Sequence, residues 1–293
     1  MADAEVIDLG LPDGRRLEVQ VSGPADGTPL VWHHGTPGCA YQSAGKQRDC
    51  AERGLRLVSY SRAGAGASTR NVGRSVADVA DDVAAVLDHL GAERCITGGQ
   101  SGGGPHALAT GALLPGRVAA VIVGCGVRPF DGDADGFLAG MGQANIEEFG
   151  LAQQGEDLLR PFVMRERVGI MAGTAASVID ALSSLLPPID RAALTDEVGG
   201  DLIANLKGGA TVPDAWIDDD FAFVRPWGFA LEDIRVPVSF WQGSEDLMVP
   251  QAHMAWQAER VPGSAMHLEQ GEGHLSLMVA NFGRMLDEAC SHL

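Results

Sequence analysis

The sequence predicts an α/β protein with a mostly parallel sheet, helices on both faces of the sheet and a helical insertion. Three observations support this fold class. Strand-like and helix-like segments alternate as far as residue 127, the alternation stops over residues 128–235, and it resumes over residues 236–293. The last block has too few strands for a sheet of its own. We therefore predict one core, residues 1–127 and 236–293, interrupted by the helical insertion 128–235.

Five strands are predicted in the first part of the core. Residues 16–21 alternate charged and apolar side chains, which is typical of a half-exposed strand. Residues 29–33, 55–60, 94–99 and 117–126 are short apolar runs with glycine or proline nearby. Continuous apolar runs of this length indicate strands that are buried on both faces, as in a parallel sheet.

Residues 75–91 give the clearest helix signal of the chain. Ser75 is a typical N-cap, Asp78 stands at the capping-box position, and Gly91 ends the pattern. Residues 105–114 form a second predicted helix. Apolar residues recur at helical spacing in the first of these segments, at Val76, Val79, Val83, Val86, Leu87 and Leu90.

The insertion and the final block complete the predicted order of elements. Residues 128–235 contain helix-like stretches such as 177–188, few β-branched runs and seven of the nine phenylalanines. Strands are then predicted at 236–241 and 265–268, and a helix at 275–289.

Composition and charge exclude several classes of function. The net charge is −18, from 39 acidic and 21 basic residues, which disfavours both nucleic acid and anionic membranes as partners. We see neither a secretory signal nor an apolar run long enough to span a bilayer. The five cysteines are scattered without a C-x-x-C pair, so we expect a reduced, cytoplasmic protein. The expected binding partner is a small-molecule substrate. The oligomeric state is not indicated.

Ser101 lies in the motif Gly99-Gln100-Ser101-Gly102-Gly103, which fits G-x-S-x-G. A flexible linker would have polar flanks, whereas this stretch joins an apolar strand segment to an apolar helix segment. A serine between a strand and a helix, with glycine on both sides, is typical of a nucleophile held on a tight turn. We therefore interpret Ser101 as a catalytic nucleophile.

A nucleophilic serine needs a base and an acid that orients the base, here in the chain order serine, acid, histidine. Asp246 follows the predicted strand 236–241 and His274 follows the strand 265–268. Both therefore stand at carboxyl ends of predicted strands, where open α/β sheets place their sites. Glu245 is the alternative acid. The other candidate bases fit less well: His267 lies within a strand, His106 on the helix after Ser101, and His89, His253 and His292 on predicted helix surfaces.

Metal and nucleotide sites are not predicted. His33 and His34 are neighbours on a strand, so their side chains point to opposite faces and cannot easily share one ion. The glycine-rich residues 62–69 lack both the third glycine of a dinucleotide motif and the lysine of a phosphate loop. Cys125, at the end of a core strand, is interpreted as a small buried residue. We expect no cofactor.

The chain resembles the cap-bearing branch of the α/β-hydrolase fold superfamily, which includes proline iminopeptidases, epoxide hydrolases, haloalkane dehalogenases and many esterases. The resemblance covers essentially the whole core, about residues 2–127 and 236–293. It implies that the backbone N–H groups of Thr36 and Gly102 form an oxyanion hole and that residues 128–235 form a cap. Relatives have Asp at the position of Ser61, and we expect this change to weaken a structural contact. The matching motifs are His34-Gly35-Thr36-Pro37-Gly38, the stretch from Ser61 to Ser68, the G-x-S-x-G turn, Gly243…Asp246…Val249-Pro250, and Gly273-His274.

A serine nucleophile within this resemblance implies acyl transfer rather than dehalogenation or epoxide opening, which use a carboxylate. The predicted function is a serine hydrolase that cleaves a small, moderately apolar ester or thioester. Substrate contacts are expected from His34, which would also brace the oxyanion turn, and from Gly35 and Trp227.

Other functions remain open. An aminopeptidase of the proline iminopeptidase kind would use acids such as Glu147 and Glu148 to bind the amine of its substrate. Hydrolysis of a carbon–carbon bond and acyl transfer to another nucleophile are further alternatives, as are a ligand-binding receptor, a lyase and a cofactor-free oxygenase on the same fold.

Overall fold

The computed structural model describes residues 4–293, which form one eight-stranded sheet with helices on both faces. The strand order is β1-β2-β4-β3-β5-β6-β7-β8. Pairs β1–β2 and β2–β4 are antiparallel and all other pairs are parallel, which confirms the predicted fold class. The strands are β1 Glu5–Gly10, β2 Arg16–Ser22, β3 Thr28–His33, β4 Leu55–Tyr60, β5 Cys95–Gln100, β6 Val118–Gly124, β7 Val238–Gly243 and β8 Ala265–Glu269.

Twelve α-helices and two 3₁₀ turns occur within residues 4–293. No helix in this part of the chain is both long and apolar enough to cross a membrane. The 3₁₀ turns are Val76–Asp78 and Leu231–Asp233. The helices are α1 Ala44–Ala51, α2 Val79–His89, α3 Gly103–Leu113, α4 Ala134–Leu138, α5 Gln143–Gln154, α6 Glu156–Ala172, α7 Ala175–Ala181, α8 Pro188–Ala193, α9 Asp196–Gly209, α10 Pro213–Val224, α11 Gln251–Ala258 and α12 Ser276–Cys290.

The sheet is buried on both faces, which explains the continuous apolar runs of its central strands. Helix α3 packs on β3, β5 and β6, with α2 beside it, while α11 packs on β7 and β8. Helices α1 and α12 contact each other, α1 packing on β4 and α12 on β6 and β7. Two large apolar clusters follow from this arrangement. One contains Val83, Leu87 and Leu108 beside α2 and α3, and the other contains Trp32 and Phe282.

All strands predicted from the sequence are present, and their ends lie within two residues of the predicted ends. The helix predicted from Ser75 begins with a 3₁₀ turn, where the Ser75 N–H donates to Asp78 Oδ2 at 2.7 Å, and continues as α2. Strand β1 and helix α1 were not predicted, and α11 was predicted only through the placement of His253 on a helix. Helix α1 has little amphipathic pattern, because six of its eight residues are glycine, alanine or charged and only Cys50 is buried.

The seven helices α4–α10 lie in the chain between β6 and β7. Helices α5, α6 and α10 share a small apolar cluster that includes Phe162, Trp216 and Phe221. The last turn of α10 and the segment after it pack instead against the main core, to which Phe223 and Trp227 belong. The division of the chain into a core and a separate cap therefore stays a prediction.

Candidate active site

Ser101 occupies a strained turn between β5 and α3. Its φ of +57° lies in the left-handed region, which is uncommon for a residue with a side chain and often marks a functional position. The flanking glycines have a steric reason. A Cβ at Gly99 would collide with the Gly103 carbonyl, and a Cβ at Gly103 would collide with the carbonyl oxygen of His33. The G-x-S-x-G spacing is therefore required by the packing of this turn.

Asp246 and His274 meet beyond the ends of β7 and β8. His274 Nδ1 lies 2.8 Å from Asp246 Oδ2, and both side chains are buried. Because a carboxylate only accepts hydrogen bonds, Nδ1 carries the proton and Nε2 of the neutral ring has a free lone pair. Gln100 Nε2 donates to the carbonyl oxygen of His274 at 3.2 Å, which brings the histidine loop to the residue before Ser101.

The Asp246 carboxylate accepts four hydrogen bonds from groups within the protein. Oδ1 accepts the backbone N–H groups of Met248 and Val249, at 2.8 and 2.9 Å. Oδ2 accepts Gln242 Nε2 at 2.9 Å in addition to the His274 ring. Four hydrogen bonds fix the orientation of this carboxylate. The alternative acid, Glu245, is exposed.

The electrostatics of His274 follow from this pairing. Burial of the ring by itself lowers the pKa of His274, but the charge of Asp246 and its hydrogen bond raise that pKa, and the net pKa lies above the ordinary value of 6.5. The buried carboxylate therefore stabilises an imidazolium at this position. A base that accepts a proton from a serine requires this stabilisation.

A second buried carboxylate holds the histidine loop. Asp190, in helix α8, accepts the backbone N–H of His274 on Oδ2 at 2.9 Å. Its Oδ1 accepts the N–H groups of Leu275 and Ser276, at 2.9 and 2.8 Å, at the start of α12. The sequence analysis missed this residue, because an aspartate in a short helix 84 positions before the histidine carries no local signal.

The two residues expected to form an oxyanion hole are neighbours in the structure. Thr36 follows β3 and Gly102 is the N-cap of α3, and a Cβ at Gly102 would stand 2.5 Å from Thr36 Oγ1. The first N–H groups of a helix have no partner within that helix, and its N-terminus favours negative charge. The position of the Gly102 N–H is therefore suited to an oxyanion.

A buried ionic cluster supports the Thr36 turn from the inserted helices. Asp219, in α10, accepts the Thr36 hydroxyl at 2.7 Å and pairs with both Arg62 and Arg74 at 2.5 Å. Arg62 also donates to the carbonyl oxygens of His34 and Gly35 at 2.5 and 3.0 Å. Although burial raises the pKa of Asp219, the two guanidinium charges hold that pKa well below its usual range. None of these contacts was predicted from the sequence.

His34 braces the same turn as a neutral ring. The Arg62 backbone N–H donates to His34 Nε2 at 3.1 Å, so Nδ1 carries the proton that is donated to the Gly35 carbonyl at 2.7 Å. Burial and the charge of Arg62 lower the pKa of His34 to about 3. His34 and Gly35 both line a cavity beside the turn, as a substrate-contacting position requires.

We expected the serine at position 61 to weaken a structural contact of this turn. The structure corrects that expectation, because Glu18 supplies a carboxylate contact there. Ser61 Oγ donates to Glu18 Oε2 at 2.6 Å and accepts the Ala40 N–H at 2.9 Å. The same Glu18 oxygen accepts the Ala67 N–H at 3.1 Å. A carboxylate from the neighbouring strand β2 thus reaches this turn, although Ser61 itself carries no charge.

Two predicted placements were wrong. Trp227 does not line the cavity: its indole N–H donates to the Phe223 carbonyl at 3.3 Å and its ring packs against Phe229 in the main core. Aromatic side chains are found in hydrophobic cores as well as in binding pockets, and the sequence pattern does not distinguish these two locations. His253 is fully buried rather than at a helix surface, and its Nε2 lies 2.8 Å from the Phe137 carbonyl oxygen.

Cys125, Asp246 and His274 form one cluster of possible metal ligands within residues 4–293, with ligand atoms within 4.8 Å of one another. The acid and the histidine are already joined, and every lone pair of the Asp246 carboxylate is engaged. Burial raises the pKa of the Cys125 thiol well above its usual value, whereas a metal would require the thiolate. The donor set therefore fits a hydrogen-bonded pair better than a metal centre.

Comparison with known proteins shows similarity to one fold family and to several enzymes. The family model for the alpha/beta hydrolase fold matches residues 28–159. The chain is 28% identical over 268 residues to a non-heme chloroperoxidase of Streptomyces lividans, covering 89% of this chain and 90% of that protein. It is 35% identical over 93 residues to a bifunctional esterase/perhydrolase of Acinetobacter calcoaceticus, covering 31% of this chain and 34% of that protein.

Solved structures show the same fold. A thermophilic esterase of Thermogutta terrifontis superimposes over 100% of both chains with a TM-score of 0.71 and 20% identity. At this identity the likeness concerns the fold and not the substrate.

Proposed function

We propose that this chain, which has the α/β-hydrolase fold and matches the family model for that fold over residues 28–159, is a hydrolase that cleaves a small carboxylic ester or thioester through an acyl-enzyme on Ser101. One observation carries the proposal. A serine on a strained turn stands next to a loop in which a buried histidine is paired with a buried carboxylate at 2.8 Å. This arrangement supports Ser101 as the nucleophile, His274 as its base and Asp246 as the acid that orients the base.

Acylation begins when Ser101 Oγ attacks the carbonyl carbon of the ester. The hydroxyl proton passes to His274 Nε2, and Asp246 stabilises the imidazolium. The N–H groups of Thr36 and Gly102 bind the oxyanion, each contributing on the order of 10²–10³ in rate. Collapse of the intermediate expels the alcohol, which takes its proton from His274 and leaves the acyl group on Ser101.

Deacylation repeats these steps with water. His274 Nε2 removes a proton from water while the oxygen attacks the acyl carbon, and the oxyanion again faces Thr36 and Gly102. Ser101 then leaves with the proton from His274, and the carboxylic acid is released. Every proton in the cycle passes through His274.

A second acceptor for the acyl group is supported by the similarity to the chloroperoxidase and to the esterase/perhydrolase. Hydrogen peroxide in place of water would convert the acyl-enzyme to a peracid and regenerate the Ser101 hydroxyl. Assays with and without peroxide separate the two reactions by their products.

The aminopeptidase alternative receives no support from the two acids considered for it. Glu147 lies 3.1 Å from Arg165, and Glu148 accepts the Trp216 indole N–H at 2.5 Å. Neither carboxylate lines the cavity beside the site.

Intact-protein mass spectrometry after exposure to a fluorophosphonate tests the proposal. We expect one adduct on the wild type, no adduct on Ser101→Ala and slow labelling of His274→Ala. Ester hydrolysis by Ser101→Ala is expected to fall by on the order of 10⁶ in kcat. A folded wild type that remains unlabelled and hydrolyses no ester or thioester would contradict the proposal and favour a receptor.

A further inference from the structure

A cavity of about 400 Å³ begins at the candidate site. Each reacting segment contributes to its wall: His34 and Gly35 precede Thr36, Gln100 precedes Ser101, and Leu275 follows His274. The rest of the wall comes from strands β3 and β4, from the loop between β3 and α1, and from helices α1, α9 and α12. A substrate bound at Ser101 can therefore extend one of its groups into this cavity.

Lys46, one of only two lysines in the chain, lines this cavity from helix α1. Its ammonium lies 4.7 Å from the centre of the Trp32 ring and 5.7 Å from that of Phe282. Within residues 4–293 the ammonium makes neither a salt bridge nor a hydrogen bond. Cation–π contacts stabilise the charge but occupy none of its three N–H donors in a conventional hydrogen bond.

The electrostatic state of Lys46 agrees with this geometry. Burial lowers the pKa of Lys46 to about 8, and the charge of Asp201 opposes that shift only in part. The ammonium is thus partly desolvated and incompletely paired. An anion that reaches it from the cavity would replace lost hydration and form a charge-assisted hydrogen bond.

Three acids also line the cavity, and they restrict the anion. Glu197 is exposed, Asp49 is half-buried, and Asp201 accepts the Tyr41 hydroxyl at 2.6 Å. These negative charges disfavour a dianion such as phosphate, which in addition is usually bound by several donors rather than by one ammonium. A single carboxylate is the anion that matches one half-buried ammonium, since Arg48, the other cation of the wall, is exposed.

We propose that this cavity is an acyl-group subsite in which Lys46 binds the free carboxylate of a dicarboxylic acid monoester. The proposal rests on the proposed function, because it assumes that the ester carbonyl lies at Ser101. It identifies the substrate class as short-chain esters that carry a negative charge at the end of the acyl chain.

The test compares three ethyl esters of similar size: monoethyl glutarate, its neutral amide ethyl glutaramate, and the cationic ethyl ester of γ-aminobutyrate. Binding is measured by calorimetry on Ser101→Ala, which cannot turn the esters over. We expect the anionic ester to bind about 10- to 100-fold more tightly than the amide. The difference should disappear in Ser101→Ala with Lys46→Gln, and it should persist with Lys46→Arg.

Lys207→Gln is the matched control, because Lys207 is the other lysine, lies in α9 and does not line the cavity. Equal binding of the anionic ester and the amide would overturn the proposal, as would tighter binding of the cationic ester. This comparison requires no Lys46 variant, so it holds even if Lys46→Gln folds poorly.

The two proposals fail separately. A wild type that binds monoethyl glutarate but is not labelled by the fluorophosphonate contradicts the hydrolase mechanism and keeps the subsite. A labelled wild type that makes no distinction among the three esters keeps the mechanism and rejects the subsite. In the wild type, kcat/KM should favour monoethyl glutarate over the amide by about 10- to 100-fold.

Discussion

Asp190 Oδ2 accepts the backbone N–H of His274 at 2.9 Å, so a carboxylate from the inserted helices fixes the loop that carries the proposed base. The two following N–H groups donate to its other oxygen. A Cβ at Gly273 would collide with this carboxylate. The position of the His274 ring therefore depends on α8, which lies outside the predicted core.

Replacing Asp190 by asparagine should reduce kcat more than it changes KM. The amide retains the size of the side chain but loses one acceptor and the charge, and a displaced reacting group costs up to about 10²-fold. Because the Asp190 charge also raises the pKa of His274, the acidic limb of the pH–rate profile should move to lower pH. Steady-state kinetics across pH measures both effects.

Asp180→Asn in α7 is the control for this variant, since Asp180 is exposed. A folded Asp190→Asn enzyme with the pH profile and kcat of the wild type would show that the contact is structural only.

The pH dependence of the wild type follows from the paired histidine. Nε2 accepts a proton only when the ring is neutral, so kcat/KM should rise with pH through the pKa of His274. That pKa is raised above 6.5, and the acidic limb is therefore expected above pH 6.5.

Asp246→Asn removes the charge that raises the pKa of His274. We expect the acidic limb to shift to lower pH and kcat to fall by on the order of 10⁴. Glu245→Gln serves as the control, because Glu245 is the adjacent exposed acid. Comparable losses in both variants would show that Asp246 is not the orienting acid.

Asp219→Asn should destabilise the protein strongly. The substitution leaves Arg62 and Arg74 buried without a counter-charge, and breaking a buried ion pair on one side costs about 3–5 kcal/mol. Urea unfolding monitored by circular dichroism measures the free energy of unfolding. The same amount of destabilisation is not expected for Asp8→Asn, whose exposed pair with Arg16 contributes about 0–1 kcal/mol.

Equal free energies of unfolding for these two variants would contradict the prediction that the buried ion pairs of Asp219 stabilise the protein. Arg62 and the Thr36 hydroxyl are both held by Asp219, so residual hydrolysis by a folded Asp219→Asn protein would report on the oxyanion turn.

Glu148→Gln should stabilise the protein in alkaline solution. Burial raises the pKa of Glu148 to about 7, and the neighbouring buried Asp220 also has a raised pKa, mainly through burial and the charge of Glu148. The folded state thus binds a proton that the unfolded state releases near pH 4.5. Stability from this group is present below about pH 4.5 and is lost as pH rises towards 7.

A glutamine at position 148 retains an acceptor for the Trp216 indole N–H and has no charge to bury. Relative to the wild type we expect a gain of about 2 kcal/mol at pH 8 and little change near pH 4.5. Urea unfolding at both pH values measures the difference, with Glu147→Gln as the exposed control. An equal effect at the two pH values would exclude linkage to this proton.

The sequence by itself determined strands β2–β8, helices α2, α3 and α12, and the candidates for the reacting residues. Strands 94–99, 236–241 and 265–268 are recognisable because a parallel strand buried on both faces must be apolar along its length. Ser101, Asp246 and His274 follow those strands directly. Their proximity is therefore predicted from the local pattern and from the rule that sites lie at the carboxyl ends of parallel strands.

Only the tertiary structure identified the residues that hold this site in place. Asp190, Asp219 and Glu18 act on segments 84, 183 and 43 positions away in the chain, through His274, Thr36 and Ser61. Such contacts depend on how the inserted helices pack on the sheet, and a single aspartate or glutamate carries no periodic signal. For the same reason the sequence placed Trp227 wrongly and did not identify Lys46 as a cavity residue. The side of a helix or loop that faces a cavity is decided by packing across the whole molecule.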